Sequence, residues 1–355
     1  MADLNTADIL FERRGAAGLV TLNRPQALNA VTHAMVRRLR AQLAAWADDP
    51  AITRVVISAA GERAFSAGGD IRALYDLGQA GRHGEMLQFW RDEYPLNVEV
   101  KNFRKPYVAL IDGLVMGGGV GVSAHGSHRV AGDRFQFAMP EVGIGFFPDV
   151  GATWFLPRMP GELGTYCGLT GERFGNADAA AAGLVTHRIP SARFGALLDG
   201  LTGTVSVDAL LAAFAEPAGE GSIMARRGAI DRLFSYGRVE DILAALDREA
   251  ASGSPDAEWA VKTAATMRVK SPLSLKLALA QVRHGKAWDF ETCMRAEFRI
   301  VSRVIHGSDF YEGVRAVIID KDNKPRWRPA TLAEVSEAEV ERHFAALGGD
   351  ELVLP

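Results

Sequence analysis

Glu141 and Asp149 stand eight residues apart in one loop, each directly after a proline (Pro140 and Pro148). Around Glu141 the neighbours are Phe137, Met139, Val142, Ile144, Phe146 and Phe147. Apolar surroundings strip water from a carboxylate and raise its pKa, as an acid/base group working near neutral pH requires. Two small-residue turns, Phe65-Ser66-Ala67-Gly68-Gly69-Asp70 and Gly117-Gly118-Gly119, supply a complementary chemistry. Each falls between an apolar run and a helix-like segment. A helix start leaves unpaired N–H groups with a partial positive charge, and glycine lets a ligand approach them. The amides of Gly69 and Gly118, aimed at one point, would bind a carbonyl oxygen more tightly as it becomes an oxyanion. The combination predicts attack on a polarised acyl carbonyl. Each part also has a plain reading: a solvated Pro-Glu turn, an Asp149 that N-caps a following helix, glycines that only make turns.

The elements that must hold these residues can be read from periodicity. Ile9-Leu10-Phe11 and Leu19-Val20-Thr21-Leu22, around Gly15-Ala16-Ala17-Gly18, predict a hairpin. Val31, Met35, Leu39, Leu43 and Trp46 recur at helical spacing. Val55-Val56-Ile57 reads as a buried strand, and a helix opens at Asp70. The order then repeats: strand Tyr107–Ile111, flexible loop Gly113–Gly119, helix start Val120–His125. A third round has short strands at Arg129-Val130-Ala131 and Phe135-Gln136-Phe137, then the loop Met139–Gly151. Repeated strand–loop–helix units predict an α/β fold with stacked strands. Beyond Pro190 the sequence turns Ala-rich and helical, with starts at Ser271-Pro272, Asp289 and Ser336. The domain reading is an α/β core over 1–195 with the site, then a mostly helical region over 196–355.

Bulk properties exclude several classes. A net charge of -3 over 355 residues leaves no electrostatic footprint for nucleic acid or an anionic membrane. The apolar runs are broken well before the length of a membrane span. Cys167 and Cys293 alone cannot form a disulfide scaffold, and a reducing compartment is expected. The segment Met1–Asn5 has an early acid and no apolar stretch, unlike a secretory signal, and no Arg-rich transit segment is evident. The expected compartment is the cytoplasm.

Taken in order, Leu22-Asn23-Arg24-Pro25 with Leu28-Asn29-Ala30, Ala64-Phe65-Ser66-Ala67-Gly68-Gly69-Asp70-Ile71, Gly117-Gly118-Gly119 and Pro140-Glu141 resemble the crotonase (enoyl-CoA hydratase/isomerase) superfamily. Arg91-Asp92-Glu93-Tyr94, Gly145-Phe146-Phe147-Pro148-Asp149-Val150-Gly151 and the segment Asp309–Ala316 resemble its 3-hydroxyisobutyryl-CoA hydrolase branch. The likeness covers nearly the whole chain and is weakest over 195–265. It implies a crotonase-like spiral of stacked β-β-α units with a helical C-terminal region. It further implies an oxyanion hole at Gly69 and Gly118, Glu141 attacking the carbonyl or activating water, and Asp149 assisting proton transfer. Glu93 would contact the acyl group, and the adenine end of CoA would lie near Arg24 and the Ala64–Ser66 segment, including Ala64 and Ser66. The substrate implied is 3-hydroxyisobutyryl-CoA or a close β-hydroxyacyl-CoA, hydrolysed to the acid and CoA in valine catabolism. No metal or redox cofactor is implied, since CoA belongs to the substrate. A homo-oligomer, trimer or hexamer, is the usual assembly. One departure matters: hydratases of the superfamily use a second glutamate at the position of Gly121, and glycine carries no carboxylate.

Other readings compete. An enoyl-CoA hydratase or isomerase would share the fold, and a non-catalytic acyl-CoA-binding protein would keep it without the chemistry. Gly119-Val120-Gly121-Val122-Ser123-Ala124 fits the dinucleotide fingerprint G-x-G-x-x-A, but Asp112 to Met116 separate it from the preceding strand. Ser123 lacks the G-x-S-x-G elbow of a serine hydrolase, and His125 with His128 lacks a third metal ligand at suitable spacing.

Overall fold

The computed structural model describes residues 7–355, so the reading of Met1–Asn5 lies outside the described residues. Strands β1 (Ile9–Arg14) and β2 (Ala17–Leu22) form the expected antiparallel hairpin, with a tighter turn than the glycines suggested. β2 then pairs in parallel with β3 (Arg54–Ala59), β3 with β5 (Tyr107–Ile111), β5 with β7 (His128–Ala131), and β7 with β10 (His187–Arg188). Side chains alternate between two apolar layers. Val20, Leu22, Val55, Ile57, Tyr107, Ala109 and Ile111 enter the main core. Leu19, Val56, Val108, Leu110 and Val130 enter a smaller one on the opposite face. Helices Phe194–Leu201 and Val207–Phe214 cover that second face. Burial on both faces explains the nearly continuous apolar runs of these strands.

A second sheet leads into the two glycine turns and the Glu141 loop. β4 (Ala64–Ser66), β6 (Leu114–Met116) and β8 (Gln136–Ala138) pair in parallel, with β9 (Phe174–Gly175) antiparallel at the edge. Each turn of the spiral thus contributes one strand to the large sheet and the next to the small one. Gly113–Gly119 was expected to be a loop and instead contains β6. Three residues are too short to show a period, and the partners of β6 lie about fifty residues upstream and about twenty downstream in the chain.

The helix expected from Val31 begins at His33, capped by the Thr32 hydroxyl, which accepts from the Met35 N–H at 3.2 Å. Val31 itself bridges to Gly69 as an extended residue. Side-chain caps at Asp70, Ser271, Asp289 and Ser336 start the other helices where the sequence placed them. The sheet ends at β10, close to the expected boundary near 195. The main apolar core nevertheless runs from Ile9 to Leu352 across that line.

The helical region docks directly on the Glu141 loop. Ser271 N–H donates to Val142 O at 3.2 Å, and Ser271 Oγ donates to Asp309 Oδ2 at 2.6 Å. Helix Asp309–Val314 crosses the turn Glu141–Ile144 so closely that a Cβ on Gly313 would lie 2.3 Å from the Ile144 carbonyl carbon. Backbone on backbone leaves nothing soft to yield. Gly313→Ala should therefore cost about 1–3 kcal/mol and lower turnover by moving the Glu141 turn. Gly84→Ala, with no atom within 4 Å, is the control that should keep both the denaturation midpoint and turnover.

Candidate active site

Because β4, β6 and β8 are parallel neighbours, the residues that follow them are stacked on one sheet edge about 5 Å apart. Those residues are Ala67-Gly68-Gly69, Gly117-Gly118 and Met139-Pro140-Glu141. Gly68 and Gly117 have φ of +111° and +43°, conformations that L side chains rarely adopt. The first turn is held from outside: Ala67 N–H donates to Leu28 O (2.9 Å), Val31 N–H to Gly68 O (2.8 Å) and Asp70 N–H to Val31 O (2.9 Å). Neither the Gly69 nor the Gly118 N–H donates to a protein acceptor among the described residues. The two lie side by side, since a Cβ on Gly118 would sit 3.2 Å from Gly69 N. Both line one cavity of about 460 Å³, as do Glu93, Glu141 and Asp149. The same imagined Cβ would be 2.8 Å from Glu93 Oε1, and one on Gly117 would be 3.4 Å from Glu141 Oε1. Two carboxyl groups therefore flank a pair of free amides.

Glu93, Glu141, Asp149 and Glu297 are at most 7% exposed, and none forms an ion pair among the described residues. Burial raises the pKa of all of them. Glu93 lies well above the usual carboxylate range through desolvation, then through the charges of Asp149 and Glu297. Glu141 is shifted the same way by desolvation and then by Asp149. Burial lifts Asp149 to about 7, moderated by the Tyr94 hydroxyl, which donates to its Oδ2 at 3.0 Å. Glu297 rises to about 8 through burial and the Asp149 charge, moderated by the N–H groups of Gly151 and Thr153 at 2.8 and 2.9 Å. Glu93 Oε1 and Glu141 Oε2 have no protein partner, so each can meet a bound molecule. The aromatic wall of Trp90 stacked on Phe146, and Phe146 on Phe147, supplies the desolvation.

Asp149 is aimed by a strained loop. Val150, a β-branched residue, has φ of +53°, which costs about 1–3 kcal/mol and persists only if the surroundings over-determine it. They do. His125 Nε2 lies 2.7 Å from Val150 O, and burial lowers its pKa to about 4, so the neutral ring donates there. Gln281 donates to Pro148 O at 2.9 Å, and Glu297 holds the two amides beyond. Asp149 does not cap the next helix with its side chain.

Other sequence candidates fall elsewhere. Arg24, Ala64 and Ser66 do not line the cavity. Arg24 bonds Asp70 (3.1 Å) and Ala30 O (2.8 Å), and Ser66 lies fully buried under Gly119. Ser123 donates to Gly119 O at 2.7 Å, and His128 meets Asp208. Glu93 occupies the buried face of helix His83–Lys101, directly after the charged residues Arg91 and Asp92. Sequence reasoning missed Tyr94, Glu297, Gln281 and the half-buried Lys270, which lines the cavity from the helical region. The signal for Glu297 was present: an acid among Cys293, Met294, Ala296, Phe298 and Ile300 on one helix. At Gly121 more than a carboxylate is missing, because a Cβ there would meet Asn97 Nδ2 at 2.7 Å and Val150 Cβ at 3.0 Å.

In sequence and in fold the chain is similar to known proteins. Residues 17–344 match the enoyl-CoA hydratase/isomerase family. The chain belongs to that family. A relative from Danio rerio, named 3-hydroxyisobutyryl-CoA hydrolase, mitochondrial, is 43% identical over 98% of this chain and 92% of its own length. The Rattus norvegicus protein of the same name is 43% identical, covering 98% and 91%. A solved structure titled carnitinyl-CoA dehydratase, from Mycobacterium thermoresistibile, superposes with a TM-score of 0.92 at 41% identity, covering 98% and 99%. One titled enoyl-CoA hydratase, from Rhodobacter sphaeroides, gives 0.91 at 40%, covering 98% and 100%. The spiral α/β fold with its helical C-terminal region is that of the family. The cytoplasmic expectation is corrected by the relatives, whose names place them in the mitochondrion. Near-neutral charge and two free, buried cysteines suit either compartment, so the folded body carried no discriminating signal.

The carboxyl cluster sets a pH dependence. An acid whose folded pKa exceeds its unfolded value stabilises the fold less as pH rises towards the folded value. Buried His125 works oppositely, but only below its unfolded pKa of about 6.5. Between pH ~6.5 and ~8 the free energy of unfolding should therefore fall, as Asp149 and Glu297 ionise less readily than in the unfolded chain. Denaturant titrations should show this slope, and Glu297→Gln should flatten it.

Proposed function

We propose that the protein hydrolyses 3-hydroxyisobutyryl-CoA, or a close β-hydroxyacyl-CoA, to the hydroxy acid and CoA, a step of valine catabolism. The observation that carries this is the convergence of the Gly69 and Gly118 amides beside Glu141, with the Gly121 position filled by Asn97 and Val150. The thioester oxygen accepts from the two amides, and its carbon faces Glu141. The ionised Glu141 either attacks that carbon or takes a proton from the water that does. A tetrahedral oxyanion forms and is stabilised where the charge develops. Its collapse breaks the C–S bond, and the sulfur takes a proton from Asp149, which at a pKa of about 7 is protonated often enough to give one. After direct attack the acyl group is left as an anhydride on Glu141, and water then cleaves it, one proton of that water going to Asp149, to release the acid and restore the Glu141 carboxylate. After attack by water the acid is already formed, and the proton held by Glu141 passes to Asp149. Glu93 Oε1, buried and unpartnered, is suited to accept from the hydroxyl of the acyl group. The reaction is redox-neutral and gives the electrophilic role to backbone amides, so metal and redox cofactors have no part in it.

The structural relatives titled as hydratase and dehydratase define the second reading. It is disfavoured because the addition of water across a double bond by two glutamates, as the resemblance implies for the hydratases, calls for a second carboxylate where Gly121 stands. Thiol release from short acyl-CoAs, run beside crotonyl-CoA hydration, separates the two. Release from β-hydroxyacyl-CoA thioesters with negligible hydration is expected; hydration without release defeats the proposal. Glu141→Gln and Asp149→Asn should each lower kcat by about 10²–10⁴ while CoA affinity persists.

A further inference from the structure

Away from the thioester site, a second cavity of about 380 Å³ opens beside the end of helix His83–Lys101 and the start of β7. Lys101, Arg129 and Arg158 line it, and no acidic residue does. None of these cations forms an ion pair among the described residues. Arg129 donates to the carbonyls of Leu184 and Gly126 at 2.8 and 2.9 Å. Arg158 donates to those of Trp154, Gly285 and Trp288 at 2.7, 3.0 and 2.8 Å. Carbonyls fix these guanidinium groups in place without cancelling their charge. Lys101 Nζ lies 4.1 Å from the Trp154 ring centroid, and Arg158 Cζ lies 4.7 Å from it. No hydrogen-bond acceptor reaches the Lys101 ammonium among the described residues. Burial lowers its pKa, and the charges of Arg129 and Arg158 lower it further. Two guanidinium groups fixed by backbone carbonyls and an ammonium without an acceptor among the described residues, all lining one cavity, are an unfavourable arrangement that a multiply charged anion relieves.

We propose that this pocket is a binding site for the phosphate group of a small metabolite. Phosphate carries close to two charges at neutral pH and three acceptor oxygens, and it would meet three cationic side chains here, with the Lys101 ammonium bringing donors that no protein group among the described residues has taken. A monovalent anion would leave most of the charge uncancelled. The pocket is independent of the thioester site. Lys101 is two helical turns beyond Glu93, about 12 Å along the axis. His125 lies between, lining the pocket and bonded to Val150 O, next to Asp149.

Isothermal titration calorimetry of the full chain with inorganic phosphate, and separately with AMP, tests the assignment, with acetate at matched ionic strength as control. One saturable site is expected, and Lys101→Met should weaken it at least about tenfold while thioester turnover in phosphate-free buffer is unchanged. Tighter binding of AMP than of phosphate assigns the group to a nucleotide; equal or weaker binding assigns the free ion. The proposal is overturned if neither ligand saturates at tens of millimolar, if acetate binds equally well, or if Lys101→Met leaves affinity intact. It is also overturned if Lys101→Met changes the sedimentation coefficient, which would give the pocket to a carboxylate of a second copy of the chain.

Discussion

Parallel pairing of β4, β6 and β8 is the constraint on which the rest of the site rests. Parallel neighbours end on the same edge, so whatever follows each strand arrives there about one strand spacing from the next. Two glycine turns and the Pro-Glu turn are delivered to one place by this rule, although roughly fifty and twenty residues separate them in the chain. An antiparallel strand at the position of β6 would send Gly118 to the opposite edge. The meeting of the two free amides is thus a property of sheet topology, and glycine only makes the approach of the two backbones tolerable.

Electrostatics in the cavity run against stability. Four carboxyl groups are buried without an ion-pair partner among the described residues, which a protein tolerates only by keeping protons on some of them. The same desolvation that makes them costly makes them useful near neutral pH. Structure elsewhere holds them in place: the neutral His125, Gln281 and Glu297 fix the loop through backbone groups, and Val150 is forced into a conformation it would not otherwise adopt. Two of these supports come from the helical region, on helices Pro272–Gly285 and Phe290–Val304. That region also lays Asp309–Val314 over the Glu141 turn, so the helices are part of the site's scaffold and not an appendage.

Fold alone does not separate hydration from hydrolysis, since proteins titled with either chemistry share this architecture. The difference is local. In this chain Asn97 and the strained Val150 fill the volume in which a side chain at position 121 would stand. A carboxylate side chain could not be placed at position 121 without moving Asn97 and Val150.

Chemistry-bearing residues and the elements of the large sheet could be read along the chain, because both leave local marks. Glu141 and Asp149 stand out by their apolar, Pro-bounded setting, the glycine turns by composition, and the helices by period and caps. The family likeness added Glu93, which follows two charged residues, Arg91 and Asp92, and has no local mark of its own. What could not be read is everything that depends on contact between distant segments. The strand β6 has three residues and no period, and its existence follows from partners elsewhere in the chain. Glu297 and Gln281 look like ordinary helix residues until the loop they support lies against them. Arg24 and Ser66 belong to a matching motif, yet packing commits one to Asp70 and Ala30 and buries the other. Local sequence fixes which groups are present and the conformations they prefer; convergence on one point, burial and the resulting proton affinities arise only when remote backbone is brought within van der Waals distance.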